Sequence, residues 1–82
     1  MPIARITVTS VSDEGDIVIV WGRTQYGSDD SEPAGYAFQT KGEHGDVGLA
    51  ERASKLVYGT EAVIEYRAIT EDWNLARGLS AS

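Results

Sequence analysis

Four residues on two neighbouring segments carry the best-placed chemistry of this chain: Trp21 and Arg23, then Tyr36 and Phe38. Trp21 and Arg23 stand two positions apart in an extended segment and so share a face. An indole beside a guanidinium offers a stacking surface and a cation, the groups that hold single-stranded nucleic acid. Tyr36 and Phe38 stand two apart in the next extended segment. If the two segments pair as a hairpin, these aromatics lie beside Trp21 and Arg23 as one ligand-binding patch. A structural alternative accompanies each pair. Trp21 packs inside with Ile17 and Ile19 while Arg23 marks a rim, and Tyr36 and Phe38 are cross-strand core residues.

The charged residues point to less specific chemistry. Asp13, Glu14 and Asp16 make one acidic turn, and Asp29, Asp30 and Glu32 a second acidic loop. Neither has the spaced oxygens of a calcium loop. Their functional option is contact with a partner protein, or a mimic of DNA charge; the plainer option is solubility. Arg5, Arg67 and Arg77 sit at strand positions; they make a sparse basic face, or are solvated or partner nearby acids such as Glu65. His44 is the one histidine. Glu43 and Asp46 lie near it without metal-ligand spacing, so it reads as a loop residue. There is no Gly-x-Ser-x-Gly, no phosphate loop and no histidine pair on a helix. The expectation is a protein that is not an enzyme, with no catalytic residue, no metal and no cofactor.

The elements that must position these groups are legible from periodicity. Ile6 and Val8 alternate with Arg5, Thr7 and Thr9, a strand over Ile3 to Val11. Gly15 permits a tight turn over Ser12 to Asp16. Ile17 to Gln25 is a second strand, apolar on both faces, which predicts cover on both sides. Gly22 within it predicts a bulge or bend. Tyr26 to Gly35 reads as an exposed, mobile hairpin loop. Tyr36 to Lys41 is a third strand, with Tyr36 and Phe38 on one face and Ala37 and Gln39 on the other.

Asp46 is a plausible N-cap for a helix from Val47 to about Tyr58. Leu49, Ala53, Leu56 and Val57 form its apolar stripe, Glu51 and Lys55 an i, i+4 ion pair, and Gly59 its C′ residue. Glu61 to Thr70 predicts a fourth strand, with Ala62, Ile64, Tyr66 and Ala68 on one face. After a turn at Glu71-Asp72, Trp73 to Ser80 is a weaker fifth strand, with Trp73, Leu75, Arg77 and Leu79 on one side. Ser80-Ala81-Ser82 is expected to fray.

Composition bounds the rest. The chain has 82 residues, enough for one domain, residues 1–82. It contains no cysteine, which excludes disulfides and thiolate metal sites. No apolar run approaches the ~20 residues that cross a bilayer, and the N-terminus lacks the order of a signal peptide. The expectation is a soluble cytoplasmic protein with no membrane partner. Net charge is −6, with only seven Lys and Arg. That balance counts against tight duplex binding, where phosphate neutralisation supplies most of the affinity.

Three strands, a helix, then two strands is an order that resembles the OB-fold, a five-stranded Greek-key barrel with a helix between strands three and four. The segment Leu56-Val57-Tyr58-Gly59-Thr60-Glu61-Ala62-Val63-Ile64-Glu65-Tyr66 is similar to the helix exit into strand four of such domains. The resemblance spans almost the whole chain and implies a mainly β fold with one helix. The alternative is another small α+β or SH3-like arrangement with the helix on one sheet face. Low lysine with high Ala, Gly, Asp and Arg also resembles proteins of GC-rich bacteria and their phages. The family implies single-stranded nucleic-acid binding first, and Trp21, Arg23, Tyr36 and Phe38 would make its ligand face. The thin supply of cations departs from that pattern, and fold does not fix function. The expectation is therefore a binding module for a protein partner through Asp29, Asp30 and Glu32. Single-stranded nucleic acid is the alternative, and a structural subunit of an assembly a third. A second copy of the chain stays open as a partner.

Overall fold

The computed structural model describes residues 2–25, 32–43, 45–70 and 73–81. Five strands and one helix follow in the order β1 (Ile3–Asp13), β2 (Ile17–Thr24), β3 (Ala34–Gln39), α1 (Val47–Ser54), β4 (Glu61–Ala68) and β5 (Asn74–Ala81). The sheet runs β1-β2-β3-β5-β4 and closes on itself as a ring, because β1 pairs with both β2 and β4. All pairings are antiparallel except β3 with β5. The turn and histidine expectations at Glu71-Asp72 and His44 lie outside the described residues, as does residue span 26–31 of the expected loop. Ala34 and Gly35, expected in that loop, open β3 instead.

β1 serves two neighbours by being long and bent. Its first half pairs with β4 and its second with β2. The bend is a bulge: Val8 faces Gly22 and Ser10 faces Trp21, so Thr9 is an extra residue. Gly22 was expected to mark an irregularity, and its role is close approach. A Cβ there would lie 2.5 Å from Ile6 Cδ1 and 3.0 Å from the Thr7 carbonyl oxygen, so nothing larger fits without displacement. At the β1–β2 turn, Gly15 takes φ +87°, and its N–H donates to Asp13 Oδ1 at 3.0 Å.

The interior of the ring holds Ile6, Val8, Val18, Val20, Tyr36, Phe38, Ala62, Ile64 and Ala76. Helix α1 covers one end, packing Leu49, Ala50 and Ala53 into that cluster. Two alanines on the buried face let the helix backbone come close to the sheet. Asp46 caps the helix, its Oδ1 accepting from the Leu49 N–H at 3.0 Å, and Lys55 pairs with Glu51 at 3.5 Å. The helix ends four residues earlier than its periodicity predicts. Lys55 N–H turns to the Arg52 carbonyl and Leu56 N–H to the Ala53 carbonyl, tightening the last turn. Gly59 N–H then donates to Val8 O at 2.8 Å, and Val8 N–H to Thr60 O at 2.9 Å, so the bulged strand captures this segment. Gly59 is thus a turn residue with φ +86°, not a helix C′. Leu56 stays half-buried against the core, whereas Val57, expected on the buried stripe, is 66 % exposed.

Two more expectations change. The predicted single face of Trp73, Leu75, Arg77 and Leu79 is split by a second bulge. Glu65 faces Gly78 and Tyr66 faces Ala76, leaving Arg77 as the extra residue. Leu75 therefore lies on the outer face and Leu79 against the core. Of the C-terminal residues expected to fray, Ser80 and Ala81 lie in β5, Ala81 paired with Ala62, and Ser82 lies outside the described residues.

Leu49→Ala is expected to cost about 2–5 kcal/mol, the range for emptying a buried leucine site. Leu56→Ala should cost less, because Leu56 is only half-buried. Urea midpoints of the two variants check the order, and a larger loss at Leu56 would contradict this docking of the helix.

Candidate functional site

The four aromatic and basic residues singled out in the sequence do not meet on one face. Antiparallel pairing sets Val20 opposite Tyr36 and Val18 opposite Phe38, while Trp21 is opposite Gly35 and Ile19 opposite Ala37. Directly opposed residues share a face. Tyr36 and Phe38 therefore point into the ring, 6 % and 1 % exposed, and Trp21 and Arg23 point out. Tyr36 packs edge-on against Tyr66, ring centroids 5.4 Å apart. In this structure neither inward aromatic presents a ring to a ligand on the outer face.

Burial, with Tyr66 beside it adding to the effect, pushes the Tyr36 phenol above the ordinary tyrosine range near 10. A raised folded-state pKa means the neutral phenol is favoured by folding. Its stabilising contribution is intact below pH ~10 and falls as pH rises through the folded pKa. Tyr36→Phe should therefore flatten the alkaline loss of stability. Denaturation midpoints compared at neutral and alkaline pH read this, and equal slopes in the two proteins would refute it.

The outer face has its own aromatic pair, which includes a residue that sequence reasoning did not link to it. Trp73 packs beside Trp21, centroids 6.2 Å apart and rings tilted by 56°. Gly35 explains the fit. A Cβ there would lie 2.8 Å from Trp21 Cζ3, so the indole rests on bare backbone. Trp73 precedes Asn74, which pairs with Tyr36, and the Asn74 side-chain amide donates to Gly35 O at 3.2 Å. The missing side chain at Gly35 was the available signal, because the antiparallel register brings a glycine under Trp21.

Beside the indoles runs a row formed by Ile19, Ala37 and Leu75 across three strands. All three are at least nine-tenths buried although they lie outside the ring. On this outer side, where cover was expected as well, Ile19 of β2 is nine-tenths buried within that apolar row. A groove of about 290 Å³ opens along it, with Ile17, Ala37 and Leu75 among its lining and Ile69, Thr70 and Trp73 on one wall. Ile69 and Trp73 remain 57 % and 42 % exposed. The space suits one or two side chains.

Charge borders this surface. Arg23 continues the Trp21 face of β2 and is exposed. Arg67 stands opposite Leu75 on β4 and is exposed. Glu32 is exposed and shares a shallow hollow with Trp21, Pro33, Thr9 and Ser10. Asp29 and Asp30, its expected companions in partner contact, lie outside the described residues. Arg5 is an exposed β1 residue paired with Val63 on the far side of the ring, so the expected basic face is divided. Among the described residues no group of three or more His, Asp or Glu is placed to hold a metal ion, and no helix is long and apolar enough to cross a membrane.

The chain matches no family model, and comparison with curated proteins and with solved structures gives no match.

Proposed function

We propose that this chain is a small non-enzymatic binding domain of OB-like plan that holds a partner protein against the outer face of β2, β3 and β5. The strand order β1-β2-β3-β5-β4, with the helix between β3 and β4, supports the OB-like plan. The observation that carries the binding reading is the Trp21–Trp73 pair on Gly35, continuous with the apolar groove. Contiguous outward apolar surface marks contact sites, and tryptophan is enriched among the residues that dominate interface energies. A net charge of −6 favours protein over a phosphate backbone. In this reading the acidic residues maintain solubility, and Glu32 borders the contact instead of forming it.

A second reading, single-stranded nucleic acid, has one specific support: Arg23 lies two residues from Trp21 on the same strand face. That places a cation beside a stacking ring on strand two of the plan. One experiment separates the two. The tagged chain is used to recover partners from native cells, with a Trp21→Ala, Trp73→Ala double variant as control. In parallel, oligothymidine is titrated against tryptophan fluorescence at low and high salt. Proteins lost only with the double variant support the first reading. Salt-sensitive quenching without such proteins supports the second, and neither result removes both.

A further inference from the structure

We propose that the open end of the ring binds a small uncharged molecule that carries a carbonyl oxygen on an apolar body, the oxygen accepting from the Tyr36 phenol. This site lies at the inner side of the strands whose outer face is the proposed protein contact, and it stands apart from that reading. The two ends of the ring differ. Helix α1 packs at the end where β1 finishes and β2 begins, with Ala50 near Asp13, Val18 and Thr40. At the other end β1 starts and β2 and β4 finish, and among the described residues no helix covers it. A hollow of about 470 Å³ opens there, lined by Ile3, Ala4, Arg5, Thr24, Tyr36 and Tyr66. That volume falls within the ~300–1,000 Å³ of small-molecule sites.

Tyr36 selects the occupant. It is 6 % exposed, and among the described residues its hydroxyl has no hydrogen-bond partner. Yet no fully buried polar side-chain atom among those residues is left without one. The Tyr36 hydroxyl therefore emerges at the surface of the hollow that this residue lines. A phenol fixed by packing and free at its tip is a donor for an acceptor that a ligand brings. Tyr66 meets the Tyr36 ring edge-on at 5.4 Å, and with Ile3 and Ala4 it supplies apolar wall for the body of the ligand.

Charge decides for a neutral molecule. No Asp or Glu lines the hollow. Its one cation, Arg5, alternates with the inward Ala4 and Ile6 and so belongs to the outer side of β1, where it also lines a second hollow with Glu61. Glu65 is exposed and pairs with Ile3 at the same edge. The rim thus carries both signs and the inner wall neither. Burial, with Tyr66 adding to it, raises the Tyr36 phenol above its ordinary range. The same desolvation penalises a carboxylate seated against that phenol, whereas a carbonyl oxygen accepts the hydrogen bond without burying a charge.

The test uses the full chain and three probes of nearly one shape: acetophenone, benzoate and α-methylstyrene. They carry a neutral acceptor, an anionic acceptor and no acceptor. Binding is read from amide shifts of Ala4, Thr24 and Tyr66. Acetophenone should bind tighter than benzoate. Tyr36→Phe should weaken acetophenone about 2- to 10-fold, the worth of one hydrogen bond, and leave α-methylstyrene unchanged. Unchanged binding of the hydrocarbon also shows that the variant keeps the hollow. Benzoate binding as tightly as acetophenone overturns the inference. So do equal effects of Tyr36→Phe on acetophenone and α-methylstyrene, and so does silence from all three probes. Shifts at Ala37 and Leu75 instead would put the probes in the outer groove, which overturns this site and leaves the protein-contact reading standing.

Discussion

Phe38→Ala should remove most of the stability of this domain. Phe38 is 1 % exposed and is among the largest of the fully buried side chains. Truncating a buried phenylalanine costs about 3–5 kcal/mol, because contacts are lost and the cavity closes only in part. Domains have about 5–15 kcal/mol in total, and one of this size sits low in that range. The variant should unfold at much lower urea concentration, or fail to fold at 37 °C. The result also discriminates between two roles. A Phe38 that served a ligand on an open face would lose binding and keep its midpoint. A shift below about 1 kcal/mol would place the ring outside the core and contradict the register of β2 with β3.

Trp73→Ala should do the reverse. Trp73 is 42 % exposed, packs against Trp21, and lines the groove. Its removal should cost far less stability than Phe38→Ala, because Trp73 is only partly buried. Central interface tryptophans are worth about 2–4 kcal/mol when truncated, roughly 30- to 1000-fold in affinity. Calorimetry with a partner recovered by the native chain measures this directly. Full affinity in Trp73→Ala would move the contact away from this face. The helix-side surface at Val57 and Tyr58, 66 % and 82 % exposed, would then be the next place to look.

These two residues also show where sequence was and was not sufficient. The elements themselves follow from local rules. Gly15 marks the first turn, Asp46 caps the helix, and alternation locates β1, β3 and β4, although β1 runs on to Asp13, β3 spans Ala34–Gln39 and β4 ends at Ala68. What local rules leave open is which face of β2 turns inward. Val18 and Val20 on one side, and Ile17, Ile19 and Trp21 on the other, are both apolar, so periodicity has no polar side to exclude. The decision comes from fit. Gly22 shares the inner face with Val18 and Val20 and admits Ile6 against the backbone, and Gly35 on the outer side leaves room for the Trp21 ring. With that face chosen, pairing register carries Tyr36 and Phe38 inward and parts them from Trp21. Trp73 was hidden for a different reason. Its contact with Trp21 depends on a parallel pairing between strands far apart in sequence, and on a bulge at Arg77 that breaks the apparent alternation of β5.

That parallel pairing is the narrowest seam in the ring. β3 and β5 share two paired positions among the described residues, Tyr36 with Asn74 and Ala37 with Leu75. The antiparallel neighbours share five to seven. Parallel ladders are also slightly weaker per residue. The Asn74 amide on Gly35 is a stitch across this gap, and the two indoles lie on either side of it. Whatever spans Trp21 and Trp73 therefore acts as a clasp on the weakest joint of the molecule. Its binding energy is added to closure of the ring, so occupancy of the face and persistence of the fold rise together.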